Sequence, residues 1–397
     1  MPEGDNISSR QASGGYEGKR SGDMFQIIDW ADPAQTTEYE AFVGNHRNGS
    51  IMQSLGWSRV KCSWNREAIV LRDSDGAITA AMQILAKKLP IFGKSLLYAP
   101  RGPVCDFHDG RAVAELFEGV KELAKKHDAY LFKMDPYVRK DDEDFIAQMK
   151  ELGFQYNLEE REAYAVQSRC NYMLPIAGRT AEEVFASFHS KWRYNIRLAQ
   201  RRGVECRAYG AEGLDDFYRL MEETGKRDHF LIRPKAYFAS MLDSLGKHCR
   251  LYLCTHDGVA LSGAVATQYA GKTCYVYGAS SNEHRNLMPN YLMQWTMIQW
   301  AIESGCFLYD FQGIPHYDDE THPNYGVYRF KQGFNGEVVE LAGEFDYVFC
   351  PYMSVWVDRA ERVVKKMNRM KIRLTTGHVE SPSAHRTASP EKMKALQ

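Results

Sequence analysis

An α+β fold built twice in tandem, each time as a mixed sheet flanked by helices, is predicted by three features of this sequence. The first is a repeated order of elements in the two halves of the chain. The second is a pair of Asp-Gly turns, Asp75-Gly76 and Asp257-Gly258, each set between apolar runs, the strongest short-range hairpin signal. The third is size: 397 residues, 44% hydrophobic and 12% aromatic, can bury a large core and favour two domains over one.

The elements follow in order. Ala68-Ile69-Val70-Leu71 leads through Asp75-Gly76 into the strand Ala77 to Met82, and Arg250 to Leu253 leads through Asp257-Gly258 into Val259 to Ala264. Each hairpin is followed by a strand (Ser95 to Tyr98; Thr273 to Tyr277), a loop, a helix (about Arg111 to Lys126; about Asn286 to Ser304) and another strand (Tyr130 to Met134; Leu308 to Phe311). In the second half, helices over Leu214 to Thr224 and Lys235 to Leu245 precede the hairpin. Hairpin, strand, helix, strand is the order of an N-acyltransferase sheet of the GNAT type, so two tandem GNAT-like domains are expected. The expected boundaries are 25–170 for the first domain, completed by about 343–374, and 171–342 for the second. Residues 1–24 and 375–397, rich in Gly, Ser, Pro and Thr, are expected to be disordered. Such folds host many reactions, so function has to come from the site.

Composition excludes several classes. No run of about 18 apolar residues exists to span a membrane, and the polar N-terminus lacks the apolar core of a signal peptide. A cytoplasmic location is the expectation. Nine cysteines form an odd, scattered set without a Cys-x-x-Cys pair, unlike a disulfide scaffold or zinc site. A net charge of −1 gives no overall basic field, so stable DNA binding is not expected and any RNA contact must be local.

Two basic concentrations exist. In Ser190 to Arg202, Arg193, Arg197 and Arg201 recur every four residues, one helix face that is either a solvated surface or a phosphate contact. After Pro351, Trp356, Ala360, Val363, Met367, Met370 and Leu374 form an apolar stripe, with Arg362, Lys365, Lys366, Arg369 and Arg373 around it. That helix could dock on the protein body, lie on an anionic membrane or contact RNA.

Lys331 stands among Tyr328, Phe330 and Phe334. It either snorkels off a strand edge or sits in a partly dry pocket, where a fixed positive charge stabilises developing negative charge far better than in water. A CoA-dependent enzyme would need a glycine-rich cradle of backbone N–H groups where strand meets helix. Asn282 to Asn290, with Pro289, and Arg101 to Asp106 both lack one; no CoA and no other cofactor is expected. The loop His316 to His322 holds two histidines and three acids, but its spacing fits no recurrent zinc motif, and no metal is expected.

Several short motifs, in joint order over roughly residues 25 to 350, resemble the Fem peptidyltransferases (FemABX), which build peptidoglycan interpeptide bridges from aminoacyl-tRNA. They are Ser54-Leu55-Gly56-Trp57 to Lys61 and Trp64, Ile232-Arg233-Pro234 with Tyr237, Tyr275-Val276-Tyr277-Gly278, Tyr309 to Ile314, and Phe330-Lys331 before Gly333 and Gly336. The chain lacks a long heptad insertion and so resembles the compact members without a coiled-coil arm. The resemblance implies that Lys61, Arg233, Tyr237 and Tyr277 hold the nucleotide precursor, chiefly by its phosphates. From the residues alone, Arg233-Pro234 reads equally as a helix-starting turn, and Tyr277 as a core strand residue.

The resemblance also implies that Phe330 and Lys331 are the catalytic pair. The stem-peptide amine attacks the ester carbonyl of aminoacyl-tRNA, and Lys331 stabilises the oxyanion. Asp135 and Glu344 match acidic positions considered as bases, although an Asp before Pro136 also ends strands. The implied partners are aminoacyl-tRNA and either UDP-MurNAc-pentapeptide or lipid II, with peripheral membrane contact through the basic C-terminal helix. A CoA-dependent N-acyltransferase and a non-catalytic tRNA- or precursor-binding protein are the alternative classes.

Overall fold

The computed structural model describes residues 25–89, 93–156, 166–228, 230–314, 316–322, 324–354 and 356–357. The first half contains β1 (Gln26–Ile27), α1 (Pro33–Asn45), α2 (Leu55–Val60), β2 (Asn65–Arg72), β3 (Ile78–Lys88), β4 (Ser95–Ala99), α3 (Gly110–Lys126), β5 (Ala129–Met134), α4 (Glu143–Glu151) and β6 (Gln155–Tyr156). The second contains β7 (Cys170–Pro175), α5 (Ala181–Ser187), α6 (Ser190–Arg201), β8 (Glu205–Tyr209), α7 (Leu214–Arg227), α8 (Lys235–Leu245), β9 (Cys249–His256), β10 (Val259–Tyr269), β11 (Lys272–Ser280), α9 (Pro289–Glu303), β12 (Leu308–Gly313), α10 (Tyr325–Gln332), β13 (Glu337–Glu340) and β14 (Phe345–Val348).

Two seven-stranded sheets result, ordered β1-β2-β3-β4-β5-β14-β6 and β13-β7-β12-β11-β10-β9-β8. Each has a single parallel pair at the equivalent place, β4 with β5 and β11 with β12. This is the duplicated α+β, GNAT-like architecture expected from the repeated order. Both Asp-Gly turns close their hairpins. Asp257 and Gly258 take φ of 50° and 78°, the pair of left-handed residues that a two-residue type I′ turn requires. Asp73 accepts from the Asp75 and Ala77 amides at 3.0 and 2.9 Å, with Gly76 at φ 84°.

One strand of the second half returns to the first sheet. β7, next in sequence after β6, pairs with β12 and β13 of the second sheet, whereas β14 returns to pair with β5 and β6 of the first. One core lies under α3 and α4, with Val113, Leu116, Phe117, Val120 and Leu123 on the buried face of α3. Another lies under α9. A third is shared: Tyr39, Val43, Trp57, Val70 and Leu85 of the first half pack with Phe217, Phe238, Met241 and Leu251 of the second. Burial of that shared apolar surface fixes how the two sheets meet.

After Pro351 the chain is helical over the described positions. Met353 and Val357, one turn apart, pack against Leu89, Tyr130 and Leu131. Tyr352 and Trp356 share the adjacent face and are 84% and 60% exposed. The stripe expected from Ala360 to Leu374 lies outside the described residues, as do 1–24 and 375–397.

Candidate active site

The second sheet opens where the first stays closed. β4 and β5 pair along their whole length, to Ala99 opposite Met134. β11 and β12 pair only from Lys272 opposite Leu308 to Cys274 opposite Asp310. Beyond that point β11 continues against β10, and β12 leans to β7, with Gly313 opposite Asn171. On β11, Tyr277 and Tyr275 lie opposite the consecutive residues Val265 and Ala266, so Val276 is bulged, a device that re-aims side chains. The Tyr275 hydroxyl lies where a Gly278 Cβ would be, at 1.5 Å, which explains the glycine of that motif.

Lys331 lies on the β12 side of this opening. It belongs to the short helix α10, not to a strand edge, and is 5% exposed. Its Nζ donates to the carbonyl oxygens of Gln312 at 3.1 Å and Gly313 at 2.7 Å. An ammonium has three N–H donors, so one is left for a further acceptor. Burial pushes Lys331 down to about 8, against the pull of the Asp310 carboxylate. The Phe330 ring is half-buried against Tyr291 and Phe334, with centroids 5.1 and 5.5 Å away.

The helix bearing the arginines is clamped to the helix bearing the lysine. Trp192 of α6 donates its indole N–H to the Phe330 carbonyl at 2.8 Å, and the His189 amide donates to the Gly333 carbonyl at 2.9 Å. A Cβ at Gly333 would sit 2.1 Å from the Trp192 indole, so only glycine permits that approach. Within α6, Arg193 donates to the Ala186 carbonyl, Arg197 lies over the Phe185 ring and Arg201 over the Tyr194 ring. Arg197, Arg201 and Tyr194 are exposed, so the stripe faces solvent beside Phe330.

Lys61, Arg233, Tyr237 and Tyr277 converge, although they come from both halves. Lys61 caps α2, Arg233 precedes α8, Tyr237 lies in its first turn and Tyr277 is on β11. Lys61 Nζ lies 3.4 Å from the Tyr237 hydroxyl, 5.1 Å from that ring and 4.9 Å from the Trp57 ring. The Arg233 guanidinium also lies over the Tyr237 ring, 5.4 Å from its centroid, and Tyr237 meets Tyr277 edge to face at 6.2 Å. Burial and then repulsion by Arg233 bring Lys61 down to about 8, and burial pushes the Tyr237 hydroxyl well up. Among the described residues no carboxylate lies within ion-pair distance of Lys61 or Arg233. Two converging cations with no counter-charge among the described residues, beside two tyrosine hydroxyls, have the chemistry to hold an anion.

The two acidic candidates are elsewhere and occupied. Asp135 is buried and accepts from the Tyr98 hydroxyl at 2.8 Å and the Arg101 amide at 2.7 Å. Burial raises it to about 6, against Arg101. Glu344 accepts from the Val166 amide at 2.6 Å and pairs with Lys133, which also holds Asp346 at 2.8 Å. Neither contacts Lys331. His316 and His322 stack on each other at 3.8 Å in their loop. Residues the sequence reading did not single out include Asp310, Asn171 and Trp192. An aspartate inside the apolar strand Tyr309 to Phe311 was the available signal, since a buried charge must find partners.

A model of the FemAB family matches residues 34–257 and 254–356. The lipid II:glycine glycyltransferase of Staphylococcus haemolyticus (strain JCSC1435) is 29% identical over 409 residues, covering 85% of this chain and 96% of the relative. That of Staphylococcus aureus (strain USA300) is 29% identical over 411 residues, with the same coverage. The crystal structure of FemX superposes with a TM-score of 0.77 at 28% identity, over 84% of this chain and 99% of that one. The C-terminal domain of a putative lysylphosphatidylglycerol synthetase from Agrobacterium fabrum shares the fold, with a TM-score of 0.50 at 12% identity, over 83% of this chain and 95% of that one.

Proposed function

The chain belongs to the FemAB family, and from that premise we propose that it is an aminoacyltransferase forming the peptidoglycan interpeptide bridge. The donor in this reading is aminoacyl-tRNA, and the acceptor is the stem-peptide amine of a precursor. The observation that carries it is a buried lysine with two of its three donors bonded among the described residues, at the open end of one sheet, in a protein that also presents a Lys61–Arg233 pair with no carboxylate partner among the described residues, suited to a phosphate-bearing acceptor.

In the reaction the amine nitrogen attacks the ester carbonyl, a C–N bond forms, and the bond to the ribose oxygen of the tRNA end breaks. The amine proton leaves with that oxygen, giving an amide and deacylated tRNA. An aminoacyl ester is already activated, so alignment and charge stabilisation suffice. Lys331 gives its remaining N–H to the oxyanion, and Phe330 excludes water and seats the acceptor end of the tRNA. Lys61, Arg233, Tyr237 and Tyr277 hold the precursor phosphates. Asp135 and Glu344, the two candidate bases, are held by Tyr98 and Arg101 and by Lys133 and Val166, and the reaction written this way needs neither to take the amine proton. CoA as donor is disfavoured by Pro289 at the start of α9, where a cradle of free N–H groups would be needed. Ribonuclease treatment of the donor pool should abolish transfer; activity with acyl-CoA instead would overturn the choice of donor.

Arg193, Arg197 and Arg201 contact the tRNA backbone in this reading. Replacing all three with Gln should weaken aminoacyl-tRNA binding and lower the slope of log affinity against log salt by about 0.7–0.9 for each phosphate no longer neutralised. Unchanged binding would remove the stripe from the interface.

The relatives' name, lipid II:glycine glycyltransferase, favours a lipid-linked acceptor over the soluble nucleotide form, and with it, in this reading, a position at the cytoplasmic face of a membrane. Tyr352 and Trp356 support this. They expose an aromatic face, and Arg359, Arg362, Lys365, Lys366, Arg369, Lys371 and Arg373 follow in sequence, a composition suited to an anionic surface. No described helix is long and apolar enough to cross a membrane. Tyr352→Ser with Trp356→Ser should reduce co-sedimentation with phosphatidylglycerol vesicles severalfold; native protein that ignores such vesicles would favour UDP-MurNAc-pentapeptide.

A further inference from the structure

Behind the candidate catalytic lysine lies a residue with no assigned role. Asp310, the third residue of β12, is 1% exposed. One carboxylate oxygen accepts from the Gln312 backbone amide at 2.7 Å. The other accepts from the Gln312 side-chain amide at 2.9 Å and from Asn171 at 3.1 Å. Gln312 takes a left-handed φ of 62°, a conformation that side-chain-bearing residues adopt when local bonds hold them there. That turn faces the carbonyls of Gln312 and Gly313 toward Lys331 Nζ. Gly313 is held from the other side, where a Cβ would sit 2.7 Å from the Ser168 hydroxyl, and Ser168 in turn gives its carbonyl to Arg101 at 2.8 Å.

We infer that Asp310 is a positioning residue of the site: it locks the Gln312 turn so that the Gln312 and Gly313 carbonyls grip Lys331. Lys331, Asp310, Arg101 and Asp135 then form a series of alternating charges running from α10, across the meeting of the two sheets, to the end of β5. Arg101 acts electrostatically on both Asp310 and Asp135. Burial works against the charge on Lys331, and Asp310 opposes that loss.

The other ionisable groups around the pair are accounted for. Tyr172 of β7 spends its hydroxyl on the Gln332 and Gly336 carbonyls, and Arg329 of α10 is exposed. Arg101, Lys272, Cys274, Tyr137 and Tyr309 also interact electrostatically with Asp310, and the Tyr309 hydroxyl donates to Gln294 at 2.8 Å. Lys272 donates hydrogen bonds to the Arg47 and Ala270 carbonyls, and Asp310 is the carboxylate that acts on Lys331.

The inference rests on the acyl-transfer reading, and its test separates the two. In full-length protein labelled with ¹³C,¹⁵N-lysine, the Lys331 Cε and Nζ resonances, assigned by their absence in Lys331→Met, report its titration without any substrate. Asp310→Asn, nearly isosteric, should move the Lys331 midpoint down by about one pH unit or more, as expected for loss of a neighbouring opposite charge. It should also lower kcat at least tenfold and shift the alkaline limb of the rate profile by the same amount, with acceptor KM unchanged. Asp310→Glu keeps the charge but misplaces the turn: the midpoint should stay native while kcat falls. A native midpoint in folded Asp310→Asn overturns the inference, as does Asp310→Glu with native kcat if the asparagine variant does not fold. Native protein without transfer activity would refute the reaction instead, leaving the titration result standing.

Discussion

Lys331→Met should lower kcat for aminoacyl transfer by about 10²–10³-fold, the usual loss when one oxyanion donor is removed, while acceptor binding and the fold persist. The ammonium is 5% exposed and holds two backbone carbonyls, so its remaining proton acts where water cannot screen it. Methionine is a close match in length, and the relieved desolvation cost of the buried charge offsets part of the loss of a donor to the Gln312 and Gly313 carbonyls. The pH profile sharpens the prediction. The charged form is the active one, and burial brings its titration to about 8; native kcat should therefore fall as pH rises through about 8, far below the range of a free lysine. The methionine variant should lack that limb. A melting temperature close to native with kcat within threefold of native would remove Lys331 from the chemistry.

The second large effect is expected at the paired cations. Arg233→Ala or Lys61→Met should each raise acceptor KM by about 10–100-fold, from the 1.5–3 kcal/mol of a hydrogen bond to a charged group, with a much smaller change in kcat. The two residues approach Tyr237 from different halves of the chain. If they grip one phosphate group, the double variant should cost less than the sum of the singles. Lys61 titrates near 8 because of burial and Arg233, so acceptor KM should rise with pH over the same range, and Arg233→Ala should move that rise to higher pH. An effect confined to kcat would place these residues in the chemistry rather than in binding.

What was legible in the sequence was local. The hairpins could be read because Asp257-Gly258 and Asp73 to Gly76 encode their own turns, and α3 because its apolar residues recur at helical spacing. The return of β14 to the first sheet is a matter of pairing across the molecule that the sequence carries only as an expected completion of the first domain by about 343–374, and two-residue strands such as β6 have no pattern of their own. At the site, the spacing of Lys331 among aromatics leans to a strand edge over a pocket; the eight-residue helix α10 and its grip on β12 decide for the pocket. The convergence of Lys61 with Arg233, 172 positions apart in the sequence, follows from the shared core between halves and has no local signature. The stripe beginning at Trp356 reads as a docking face, yet the structure packs Met353 and Val357 inward and leaves Trp356 exposed.

The most direct test of the central claim is transfer of radiolabelled amino acid from a mixed pool of charged tRNA to lipid II and to UDP-MurNAc-pentapeptide in parallel, with native protein and Lys331→Met. Labelled branched precursor from the native protein, preferentially with lipid II, and about 10²–10³-fold less from the variant is the result expected. Intact aminoacyl ester with no product on either acceptor would contradict the account.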